Sequence, residues 1–182
     1  MKAFLALAAV ATLMAIPAGA AVSVIGGGDA EICFQAAKGG KSDTASLDAC
    51  SLALDAEQLT TADRGATLVN RGVIKLRRED YEAAHADFDA GIALVPNVGE
   101  SWINRGAMFI GQRRYKEALA DLDKAISLGL KEPAKAFFDR AIAYEGLDDE
   151  QSAYLDYQQA LVLAPGWAQP QHELERFTIT RR

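Results

Sequence analysis

The sequence predicts an all-α solenoid of helix-turn-helix repeats, and three observations carry that prediction. A motif returns after thirty-four residues, Asn70-Arg71-Gly72 reappearing as Asn104-Arg105-Gly106 and, degenerate and one residue late, as Asp139-Arg140-Ala141. Apolar residues within each copy recur at helical spacing, never in the alternation of a half-buried strand. Pro96 and Pro165 stand where the second helix of a copy should end, because a residue without an N–H cannot continue it.

The first residues are set apart from the fold. Lys2 is followed by an uncharged run from Ala3 to Ile16, then by Pro17-Ala18-Gly19-Ala20-Ala21. A charged start, an apolar core and small residues at Ala18 and Ala20 form the pattern of a secretory signal peptide, assigned to residues 1–21 with cleavage after Ala20 or Ala21. The run falls short of the ~20 apolar residues that span a bilayer, so no stable membrane anchor is expected. Export of this kind implies the periplasm of a Gram-negative bacterium. Residues 22–28, with Gly26-Gly27-Gly28, are expected to be a flexible leader.

Residues 29–58 predict two short helices, Ala30–Ala37 and Ser46–Asp55, joined by Lys38-Gly39-Gly40-Lys41-Ser42. Cys33 falls on one and Cys50 on the other. Two cysteines in an oxidising compartment imply one disulfide between them. Their spacing suits neither a redox dithiol nor a zinc site.

Three clear copies follow at 59–98, 99–133 and 134–167. In the second, Trp102, Arg105, Gly106 and Phe109 share one helix face. Gly111-Gln112-Arg113-Arg114 turns the chain, and Ala118, Leu122, Ala125 and Ile126 form the inner stripe of the partner helix. Small residues at Gly72, Gly106 and Ala141, opposite Ala84, Ala118 and Ala153, let paired helices approach. Arg71 precedes Asp87 by sixteen residues, as Arg105 precedes Asp121 and Arg140 precedes Asp156. That constancy marks structural ion pairs across each helix pair. Residues 168–182 predict a capping helix, with Leu174 and Phe177 inward and Gln171 and Glu175 in water, since a solenoid must cover its ends.

These segments, about residues 65 to 167, resemble tetratricopeptide repeats. Large apolar residues at Leu68, Trp102 and Phe137, small residues at the crossings, Phe88, Leu122 and Tyr157, and the closing Pro96 and Pro165 carry the resemblance. Lys75 stands where the family prefers Tyr, and Leu130 where the second copy lacks its proline. The resemblance implies a right-handed superhelix whose concave face, lined by the first helix of each repeat, holds a partner. On that face it places Val69, Asn70 and Val73, then Ile103, Asn104 and Ala107, then Phe138, Asp139 and Ile142. Leu76, Ile110 and Glu145 lie one turn on. An Asn side chain donates to a peptide carbonyl and accepts from an N–H, so Asn70 and Asn104 suit an extended backbone, or else hydrogen-bond locally. Some family members grip a carboxylate with Asn and basic residues; Lys135 fits that scheme, but Asp139 replaces a basic residue. A basic group opposite Asp139 and Glu145 is therefore expected on the partner.

The chain carries a net charge of −6 without a basic stripe, which disfavours nucleic acid. His85 and His172 each stand alone on a predicted helix, with only Asp89 near His85 at ligand spacing. Neither a nucleophile elbow nor a phosphate-binding loop is present. No cofactor, metal or catalytic residue is expected. The leading reading is a non-catalytic adaptor, scaffold or assembly factor of the cell envelope that holds a peptide or protein. The alternative is a structural or regulatory subunit with a flat interface, and an enzyme is the third class.

Overall fold

In the computed structural model, which describes residues 20–24 and 28–177, the helical spacing resolves into nine α-helices among the described residues. α1 (Asp29–Lys38) and α2 (Thr44–Ala56) make the first hairpin. α3 (Thr61–Arg77) and α4 (Tyr81–Leu94) make the second, α5 (Gly99–Gly111) and α6 (Tyr115–Ser127) the third, and α7 (Ala134–Glu145) and α8 (Glu150–Leu163) the fourth. α9 (Ala168–Glu175) closes the end. The architecture is an all-α solenoid of helical repeats.

Each repeat turns by the same backbone device. Glu79, Arg113 and Asp148 adopt left-handed conformations, with φ of 60°, 58° and 60°. The amide after each bonds back to a carbonyl of the preceding helix: Asp80 to Lys75 at 3.1 Å, Arg114 to Phe109 at 2.8 Å and Asp149 to Tyr144 at 3.0 Å. These bonds satisfy carbonyls that a helix end leaves open. Asp80 and Asp149 then cap α4 and α8, accepting from the amides of Ala83 and Ser152. Arg114 gives α6 no such cap.

Within a hairpin the glycines set the approach. A Cβ on Gly72 would lie 2.6 Å from the Phe88 ring, and one on Gly106 would lie 3.0 Å from Leu122. The first helices α1, α3, α5 and α7 pack against one another in sequence, and each second helix packs on the first helix of the next pair. The second helices make no comparable contact with one another among the described residues. Closer spacing on one side makes that side concave, so the first helices form the inner wall.

A continuous core of Val73, Ile74, Leu76, Phe88, Met108, Phe109 and Leu122 runs through the middle repeats. Phe138, Tyr157 and Phe177 anchor the last repeat to its cap, with Trp167 and Leu174 packed alongside. Cys33 and Cys50 are disulfide-bonded, their Cα atoms 4.7 Å apart. No described helix is long and apolar enough to cross a membrane.

Two expectations on the N-terminal region fare differently. The signal-peptide assignment falls largely on residues 1–19, outside the described residues. The flexible leader at 22–28 is corrected at its start: Val22 is hydrogen-bonded to Asn70, and Val24 is buried against Ala30, Ala53 and Ala66. The glycines invite a reading of flexibility, but order at 22–24 comes from contacts with helices distant in sequence. Residues 25–27 lie outside the described residues.

Candidate functional site

The inner wall is occupied by the chain itself. Asn70 on α3 accepts from the Val22 amide at 2.8 Å and donates its Nδ2 to the Val22 carbonyl at 2.8 Å. Asn104 on α5 does the same to Ala20, accepting at 2.8 Å and donating at 2.7 Å. Each side-chain amide thus satisfies both polar groups of one backbone residue, as a neighbouring strand would. Successive repeats read alternate residues. Two residues of extended chain cover about 7 Å, close to the spacing of packed helices. Both asparagines are fully buried. Beside them lies a cleft of about 550 Å³ whose lining includes Ala20 to Ser23, Glu100, Ile103 and Lys135.

Repeat geometry explains why the amides point inward. Beside Asn104, Arg105 reaches Asp121 of α6 through two bonds, 2.7 and 2.8 Å. Beside Asn70, Arg71 reaches Asp87 of α4 at 2.9 and 2.8 Å, and in the last repeat Arg140 reaches Asp156 of α8 at 2.7 and 2.9 Å. With each arginine locked to its second helix, the residue before it is rotated toward the inner face.

Asp139 occupies that position in the last repeat. It is fully buried, and neither carboxylate oxygen has a hydrogen-bond partner among the described residues. Burial pushes its pKa up to about 7, against the opposing pull of Lys135. Lys135 itself is lowered by burial and by the charge of Arg77, while Asp139 raises it.

Several residues expected on the concave face are elsewhere. Val69 packs into the α3–α4 interior, where a Cβ on Gly91 would meet its Cγ2 at 2.6 Å. Phe138 faces away from the groove, its ring 5.5 Å from Tyr157 and 4.9 Å from Trp167. Glu145 is engaged internally, accepting from Tyr157 Oη at 2.7 Å and pairing with Arg176, so its basic partner is the chain's own. A residue next to the inward position is rotated about 100° around a helix, which carries Val69 and Phe138 to the hairpin interior. Val73 and Ala107 are buried, Ile142 is half-buried and touches both core clusters, and Ile103 lines the cleft.

The ion pairs extend further than the sequence reading drew them. Arg105 also reaches back to Asp89 of the previous repeat at 2.6 Å, and Arg140 to Asp123 at 2.6 Å. The signal was present: Asp89 precedes Arg105 by sixteen residues and Asp123 precedes Arg140 by seventeen. Lys75 pairs with Asp87 at 2.7 Å, which accounts for a cation at that position.

The second repeat, residues 99–132, matches the family model described as tetratricopeptide repeat. No curated protein matches the chain. Among solved structures, MamA of Desulfovibrio magneticus RS-1, from residue 41 to its end, has a TM-score of 0.66 at 23% identity, over 81% of this chain and 82% of that one. The second repeat domain of human RPAP3, in complex with the HSP70 peptide SGPTIEEVD, has a TM-score of 0.56 at 29% identity, over 60% and 90%. The first repeat domain of Spaghetti (RPAP3), bound to the HSP90 peptide SRMEEVD, has a TM-score of 0.61 at 22% identity, over 63% and 90%. The family match thus covers the second repeat, and over most of its length the chain shares with these structures an all-α solenoid of helical repeats.

Proposed function

We propose that the chain is a non-catalytic interaction module that holds an extended polypeptide along its inner wall, in the envelope of the cell that exports it. The observation that carries this reading is the pair of two-bond grips from Asn70 and Asn104 on the backbone of Val22 and Ala20. Such grips take any side chain and select for extended backbone, so residues 20–24 show the conformation a partner segment would adopt. Solved neighbours of this fold hold peptides in the same kind of structure. Export rests on the charged start, apolar run and small residues of the N-terminus, and fractionation of cells expressing the full chain tests it.

Hydrogen exchange tests the groove. The Ala20 and Val22 amides should exchange slowly in the full chain. A synthetic peptide of the sequence Ala18 to Val24, in millimolar excess, should speed them by displacing the segment. Asn70→Ala with Asn104→Ala should abolish the protection, each lost hydrogen bond being worth about 0.5–1.5 kcal/mol, while the melting temperature stays within a few degrees. Protection that survives both substitutions would exclude the groove as the holding surface.

A further inference from the structure

Asp139 is the one member of the inward-facing series whose chemistry is unmatched. Asn70 and Asn104 each donate to a carbonyl and accept from an amide of the same residue. An ionised carboxylate in the equivalent place accepts from an amide but repels the carbonyl beside it. Asp139 is as deeply buried as the two asparagines, and both its oxygens lack partners among the described residues. Arg140 is locked to Asp156 as Arg105 is to Asp121, so Asp139 is presented as Asn104 is. The charge of Lys135 on the same helix eases the burial of this carboxylate without giving either oxygen a hydrogen bond, and a cation with several N–H donors in contact with it removes the remaining cost.

The direction of the bound segment says which cation. The chain passes Asn70 at Val22 and Asn104 at Ala20, so its N-terminal end points toward α7 and Asp139. A polypeptide held in the same direction, two residues per repeat, would bring the backbone of the residue two before the one held by Asn104 to the third position. A side-chain cation there would project away from the backbone, whereas Asn70 and Asn104 reach the backbone itself. The group on the backbone that carries positive charge, offers three donors and has no preceding carbonyl is a free α-ammonium.

We propose that Asp139 is the receptor for the α-ammonium of a polypeptide lying in the groove, with that polypeptide's third and fifth residues held by Asn104 and Asn70. This rests on the reading of the groove as a peptide-binding surface and adds a terminus and a register to it. The site selects a free N-terminus whose first five residues are extended. A chain starting at Ala18 supplies such a terminus in cis, because its third residue is Ala20 and its fifth is Val22.

The test uses that chain, which keeps every described residue, prepared with a free and with an acetylated Ala18. Protection of the Ala20 amide from hydrogen exchange should be about ten- to a hundredfold higher with the free amine at pH 7.5, where Asp139 is mostly ionised and the amine mostly protonated, the usual worth of a hydrogen bond to charge. The advantage should vanish as the amine loses its proton above its ordinary pKa of about 8, and in Asp139→Asn at any pH. Asp139→Asn should in turn hold the acetylated chain better than the wild-type chain does. Equal protection of the two chains, with Asn104→Ala still reducing it, would overturn the assignment of Asp139 and leave the groove reading standing. No effect of Asn104→Ala would instead bring down the groove reading itself. An acetylated chain carrying Ala18→Lys that matched the free amine would assign the site to a side-chain cation and overturn the α-ammonium.

Discussion

A single atom separates Asn from Asp, and at position 139 it decides both stability and selectivity. Burial raises the Asp139 pKa to about 7, above the ordinary value near 3.9 of an unfolded chain. A folded-state pKa raised above the unfolded one stabilises fully below the unfolded value and loses that contribution as pH climbs through the folded value. Stability of the full chain should therefore fall between about pH 4 and pH 7. The slope from this group is at most about 1.4 kcal/mol per pH unit, Lys135 on the same helix reducing it. Asp139→Asn should flatten the slope and raise the urea midpoint at pH 8. An unchanged midpoint at pH 8 would mean that the carboxylate is solvated. The asparagines were legible in the sequence because a polar residue kept one place in two repeats. Their occupant was not, because the bonds to Val22 and Ala20 span 48 and 84 residues and local composition there says only small and apolar.

At the scale of the element, the hairpins were legible and their turns were not. Helical spacing, small residues at the crossings and the closing prolines place α3 to α8 closely. Nothing in Glu79 or Arg113 as residue types announces a left-handed backbone, which ordinarily selects Gly, Asn or Asp, and Asp148 alone is of a type that visits it. The repeat forces it: a hairpin whose helices must meet at Gly72 or Gly106 leaves its turn few residues and one direction. An L-residue in that conformation costs about 1 kcal/mol, so Arg113→Gly should relieve strain at an exposed site. Glycine's larger unfolded entropy offsets about half of that. The expected gain is a few tenths to about 1 kcal/mol, read as a small rise in the denaturant midpoint at constant slope. A clear loss of stability would show that the Arg113 side chain supports the turn in a way its exposure hides.

For the whole molecule, the question is what makes repeats behave as one body rather than beads. Stability in a solenoid is a sum of repeat terms and nearest-neighbour interfaces, so whatever crosses an interface sets the cooperativity. The core crosses it, and so do Arg105 and Arg140. Each guanidinium holds a buried Asp of its own repeat through two bonds and an exposed Asp of the repeat before it through a third. Arg71 begins the series, holding Asp87 and touching Ser51 of α2 at 3.3 Å. The two kinds of bond should separate experimentally. Asp89 is half exposed, so Asp89→Asn should cost at most about 1 kcal/mol. Its effect should be on coupling: a shallower denaturation slope, and exchange in α3 and α4 no longer tied to exchange in α5 and α6. Arg105→Ala removes all three bonds and strands the buried Asp121, so it should cost about 2–4 kcal/mol, recovered in part by adding Asp121→Asn. If Asp89→Asn and Arg105→Ala destabilised equally with an unchanged slope, the arginines would be ornaments on each hairpin and the apolar core alone would join the repeats.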